Sequence, residues 1–103
     1  MKSEISNWTC PECRGPLSVL EDGPTKQWRC RVGHLYSPEA LLDEHCETLE
    51  RTLWSTVVAL EESAEMIREL LPMLPDQAER LRAEEKIKAE WAVKIRELIN
   101  QIC

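Results

Sequence analysis

Three cysteines and a histidine carry the chemistry this sequence offers. Cys10 and Cys13 bound one short turn, Cys10-Pro11-Glu12-Cys13, and Cys30 and His34 bound a second, Cys30-Arg31-Val32-Gly33-His34. Written as a spacing, the set is C-x2-C-x16-C-x3-H. Two thiolates from one turn, with a thiolate and an imidazole from another, make a four-donor set that encloses zinc tetrahedrally at about 2.0–2.3 Å. The spacing predicts one structural zinc per chain, held by Cys10, Cys13, Cys30 and His34. Each turn must fold back sharply, and Gly15 and Gly33 stand where a residue without a Cβ eases that reversal. The rival reading is a pair of disulfides. Five cysteines are an odd number, which disfavours a closed disulfide framework. No charged-then-apolar leader precedes Trp8, so a cytoplasmic chain with reduced thiols is expected.

A catalytic zinc keeps three protein ligands and an open position, whereas here a fourth ligand stands at good spacing. No serine–histidine–aspartate order, phosphate-cradling glycine loop or paired-carboxylate cleft can be argued for, so no enzyme activity is expected. His45 and Cys46 are rival ligands, but both lie where a helix is predicted. Cys46 reads as a small core residue on its apolar stripe, His45 as a solvated neighbour, and Cys103 as a free thiol. Trp8 and Trp28 flank ligand cysteines and are expected to cover one face of the metal site. Trp54 and Trp91 are expected to pack across a helical seam. Arg29 and Arg31 bracket Cys30 and read as solvated surface charges.

Short extended segments must carry the metal-binding turns. Residues 1–9 read as a polar leader. Leu17–Leu20 and Lys26–Cys30 are separated by Glu21-Asp22-Gly23-Pro24, which is turn chemistry, so the pair predicts a β-hairpin. A hairpin leading out of one metal turn and into the next is the layout of a zinc ribbon. This part has few large apolar residues, and burial alone would not offset its conformational entropy. Structural zinc, contributing roughly 10–16 kcal/mol, can.

At Ser37 the pattern becomes helical. Ser37-Pro38-Glu39 supplies an N-cap, a first-turn proline and a first-turn acid. Apolar residues then recur in steps of four and three at Leu42, Cys46, Leu49, Leu53, Val57, Leu60, Ala64, Ile67, Leu71 and Leu74. Pro72 and Pro75 end that helix. Asp76 is the next N-cap, with Glu79 completing a capping-box-like pair. The second helix carries the stripe Leu81, Ile87, Trp91, Ile95, Leu98 and Ile102, with Ala83, Ala92 and Ile99 beside it. The sequence therefore predicts a zinc ribbon over 1–36 and an antiparallel helical hairpin over 37–103, with helices at about 38–71 and 76–102. The fold class is mainly α with a small β part.

Net charge is −6. Residues 1–36 are close to neutral, with five basic and four acidic side chains, so the acidity belongs to the helices. An acidic body repels a phosphate backbone and disfavours nucleic acid as a partner. No apolar run is long enough to span a membrane.

The strings CPECRGPL, WRCRVGHLYSPEALL and LERTLWSTVVALEE resemble a zinc-binding tail segment that follows some bacterial chemotaxis-type protein-glutamate methylesterase domains. The resemblance covers about residues 8–65, and the VGH-x-YS string is its most specific part. It implies Cys10, Cys13, Cys30 and His34 as ligands, and makes Tyr36, Ser37 and Trp54 shared features. Arg14 departs from the family pattern, which has glycine there. The methylesterase domain itself is not among these residues, so its activity is not carried over. The resemblance implies an accessory part in bacterial signalling.

The expected function is thus a structural zinc-containing module for protein interaction and oligomerisation. Its partner is a second copy through the helical hairpin, or a protein not identified by the sequence. Two alternatives stand beside it. One is a redox- or metal-responsive regulator using the Cys3His site; the other is a nucleic-acid-binding ribbon using Lys26, Arg29 and Arg31.

Overall fold

A computed structural model describes residues 2–103, with the side chains of residues 2 and 3 left aside. Pro16–Asp22 (β2) and Thr25–Arg29 (β3) form the expected hairpin, paired from Ser18 with Arg29 to Asp22 with Thr25. Gly23 turns the chain at φ 64°, a left-handed conformation that favours glycine. The hairpin is the middle of a four-stranded antiparallel sheet, with Lys2–Thr9 (β1) beside β2 and Leu35–Tyr36 (β4) beside β3.

Both outer strands escape the sequence pattern. Lys2–Thr9 (β1), expected as a leader, pairs with β2. Its register shifts between Ile5 and Thr9, which breaks the alternation that would mark a strand. Ser6 bridges the irregularity: its hydroxyl donates to the Leu17 carbonyl at 2.8 Å and accepts the Trp8 N–H at 3.1 Å. Leu35–Tyr36 (β4) is only two residues long and pairs with Trp28 and Arg29.

Pro38–Leu70 (α1) is one 33-residue helix. Ser37 caps it as expected, its hydroxyl accepting the Ala40 N–H at 3.1 Å. The proline pair gives two single 3-10 turns, Leu71–Met73 and Pro75–Gln77, before Ala78–Ile99 (α2). Asp76 falls inside the second of these turns. The residue that caps α2 is Gln77, whose side chain makes no capping bond to the backbone, so the expected capping by Asp76 does not form.

The chain divides into two compact units, Met1–Leu49 and Glu50–Cys103. The core of the first is Cys10, Leu17, Cys30, Tyr36 and Leu41, with Trp28 and Ala40 packed against it. That of the second is Val57, Ala92 and Ile99, with Leu53, Leu60 and Ile95 beside them. Cross-helix pairs run in opposite senses, Glu61 with Arg96 and Arg68 with Glu85, so the helices are antiparallel.

On α1 the predicted stripe holds from Leu53 to Ile67 and fails before it. Leu41 and Thr48 are buried where Leu42 and Leu49 were expected. On α2 the stripe lies to one side of the expected one: Leu81, Ala92 and Ile99 are buried, while Ile87, Trp91 and Leu98 are exposed. Steps of four and three from Leu81 pass through Glu85 and Lys88, and counting apolar residues displaces the stripe from those charges. Both charges are accommodated. Glu85 accepts from Arg68 at 3.1 Å, and Lys88 donates to the Ser63 hydroxyl at 2.7 Å. Trp54 and Trp91 both stay half-exposed rather than packing in the seam; the Arg96 guanidinium lies 5.4 Å over the Trp54 ring. Among the described residues, no helix is long and apolar enough to cross a membrane.

Candidate metal centre

The first turn follows β1. The Cys10 N–H donates to the Gly15 carbonyl at 2.7 Å, and the Arg14 N–H donates back to the Cys10 carbonyl at 2.9 Å. The residue that takes the left-handed conformation here is Arg14, at φ 66°, rather than Gly15. A Cβ on Gly15 would meet Cys13 Sγ at an ordinary 3.5 Å. The second turn follows β3 and is closed by Cys30 N–H to the His34 carbonyl and Gly33 N–H to the Cys30 carbonyl. Gly33 takes φ 112°, as its place in the turn requires. Antiparallel pairing of β2 with β3 brings the two turns to the same end of the sheet.

Cys10, Cys13, Cys30 and His34 then converge, with all four donor atoms within 4.8 Å of one another. His34 presents Nδ1 to the thiols, 3.2 Å from Cys30 Sγ and 3.6 Å from Cys10 Sγ. A tetrahedral ion at ordinary bond lengths holds sulfur and nitrogen donors about 3.5 Å apart. These four residues could hold a metal ion.

Electrostatics favour a cation at their centre. Burial pushes the Cys10 thiol up, but the Cys13 N–H, the Tyr36 hydroxyl and the Glu12 N–H outweigh it, and the thiol lies below its ordinary range. Burial acts likewise on Cys30. There the His34 N–H, the Cys13 thiol and the N–H groups of Gly33 and Val32 bring it down to about 7. Cys13 is the reverse case. The Gly15 N–H is the largest single influence and lowers it, yet burial and the neighbouring Cys30 and Cys10 together raise it. Burial raises the Tyr36 phenol too, helped by its contact with Cys10. Three thiols this close resist joint ionisation, and a divalent cation among them removes that obstacle.

Residues outside the ligand set hold it in place. Glu12 Oε2 lies 3.0 Å from His34 Nε2, the ring nitrogen facing away from the thiols. A carboxylate there fixes ring orientation and tautomer, as second partners of metal-bound histidines do. The Tyr36 hydroxyl lies 3.3 Å from Cys10 Sγ, and the His34 N–H donates to Cys30 Sγ at 3.3 Å. Buried Thr48 donates from Oγ1 to the Pro11 carbonyl at 3.2 Å, tying the first turn to α1. The roles of Glu12 and Thr48 were not foreseen from the sequence. Glu12 carried a signal, being the one carboxylate inside the Cys-Pro-Glu-Cys turn.

The rival ligands stay out of the cluster. His45 is exposed and lines an apolar cleft of about 250 Å³ with Trp8, Leu41 and Leu42. Cys46 is half-buried, and neither it nor Cys103 is a free thiol, which corrects the expectation for Cys103. Trp8 and Trp28 pack against each other, centroids 5.7 Å apart and tilted 31°, with Trp28 against the core that holds Cys10 and Cys30. Lys26 is paired with Glu21 at 3.5 Å. Arg29 and Arg31 line an open cleft beside Cys30 with Ser18 and Gly33. No family model, curated protein or solved structure matches the chain.

Proposed function

We propose that the chain is a structural zinc-binding module for protein interaction and oligomerisation, acting as a cytoplasmic accessory in bacterial signalling. The reading rests on one observation: the Cys3His donor set converges within 4.8 Å, with the outer nitrogen of its histidine held by Glu12. Three thiolates and an imidazole suit zinc, whose filled d shell accepts a tetrahedral field without redox chemistry. Four protein donors complete such a shell and leave no position for substrate, so the metal's work is folding rather than catalysis. The signalling context is supported by the likeness of residues 8–65 to methylesterase tail segments.

Elemental analysis of the purified chain tests this. One zinc per chain is expected, and its loss when Cys10, Cys30 or His34 is replaced by alanine. Metal retained in His34→Ala but lost in Cys46→Ser would overturn the ligand set. The exposure of Cys13 favours a second reading, a redox-responsive site. Peroxide would oxidise its thiolate to a sulfenate and release the metal. Zinc released by stoichiometric peroxide supports that reading; zinc retained until the protein denatures rules it out.

A further inference from the structure

The two sides of the helical hairpin are built differently. Successive residues of an α-helix are about 100° apart, so the residues flanking the seam fall into two sets. Glu61, Arg68 and Trp54 on α1 share a side with Arg96 on α2, because Arg96 bonds both Glu61 carboxylate oxygens, at 2.8 and 3.0 Å, and covers the Trp54 ring. This side is charged, and Glu61, Arg68 and Arg96 find partners on it within the chain. The opposite side carries Met66 and Leu70 from α1 and Ile87, Trp91 and Leu98 from α2. Each of these five is 43–56% exposed. Glu84 at the end of this stripe is paired with Arg80 at 3.6 Å, and Lys94 lies at its outer margin.

We infer that a second copy of this chain docks along that uncharged side, forming a two-fold dimer. The inference rests on the oligomerisation part of the reading above and names its surface. A chain of net charge −6 repels its copies, and its acidic residues crowd α1. An uncharged stripe lets a like-charged copy approach without setting acid against acid. It is also its own complement, as an isologous interface requires. Five half-exposed side chains of this size leave about 400–500 Å² of apolar surface. That is the apolar share of a standard interface of about 800 Å² per partner. A heterologous helix with acidic flanks would meet the same repulsion without gaining the symmetry.

The test uses the full zinc-loaded chain and light scattering at tens of micromolar. Wild type is expected at twice its 11.9 kDa mass. Met66→Glu with Trp91→Glu is expected at the monomer mass with helical circular dichroism intact. Val58→Glu with Val93→Glu alters residues that are as exposed, 51% and 56%, on the charged side, and is expected to remain dimeric. Should the double glutamate variant unfold, Trp91→Ala replaces it, with at least a tenfold rise in dimer dissociation constant expected. A monomeric wild type overturns the inference and leaves a heterologous partner for the stripe. A dimer that survives the stripe variants, or dissociates equally with the Val58 and Val93 pair, overturns it too. Zinc content measured on the same samples separates this outcome from failure of the metal reading, which would show as missing zinc.

Discussion

Arg14 shows how one residue bears the cost of a metal-binding turn. The turn after Cys13 needs a left-handed residue, and Arg14 supplies it at φ 66°. That conformation costs a residue with a Cβ about 1–2 kcal/mol, part of which glycine gives back through its larger unfolded-state entropy. Arg14→Gly is therefore expected to stabilise the zinc-loaded chain by about 0.5–1 kcal/mol, raising its thermal midpoint by about 2–6 °C. The sequence marked this position as unusual only because its likeness has glycine there. Glu12 makes the complementary case. Its carboxylate touches no metal ion yet orients His34 from Nε2. Glu12→Ala is expected to lower zinc affinity about 10- to 100-fold, measured by competition with a chromophoric chelator, without altering the helical signal. The convergence of Cys10, Cys13, Cys30 and His34 could be expected from spacing because short turns fix donor geometry locally. Thr48 could not, because its bond to Pro11 spans 37 residues.

At the level of elements, periodicity located both helices but not every buried face, and the outer strands, made by pairing alone, escaped it. The first helix, its Ser37 cap and the seam from Leu53 to Ile67 follow from steps of four and three. The strand β1 has no such pattern, being an edge strand with a shifted register, and its backbone bonds to β2 are what make it a strand. The α2 seam was displaced by two charges that the tertiary structure tolerates through specific partners. Burial of the seam makes a direct prediction. Val57 is fully buried against the Ala92 and Ile99 cluster, so Val57→Ala is expected to destabilise the hairpin by about 1.5–3 kcal/mol. Urea denaturation followed by circular dichroism measures this. Exposed Val58, its chain neighbour, is expected to change stability by less than about 0.5 kcal/mol when replaced by alanine.

Across the whole molecule, the unit holding the metal site and the helical unit differ in what sustains them. The first packs its small core around Cys10 and Cys30 of the candidate metal site, while the second has an apolar seam of its own. Chelation is expected to remove amide protection from residues 4–36 and leave it from Leu53 through α2, as read by hydrogen exchange. Loss of protection across both would show that the metal site nucleates the entire chain. Each strand pairs only with its neighbour in the chain, β1 with β2, β2 with β3, β3 with β4, and α1 meets α2 across two short turns. Hairpins between chain neighbours close small loops, and such elements form in about milliseconds or less. Donor capture waits on the metal as well as on the chain, since Cys10 must find a histidine 24 residues away. Stopped-flow refolding should then resolve a fast helical phase that ignores zinc concentration and a slower phase whose rate rises with it.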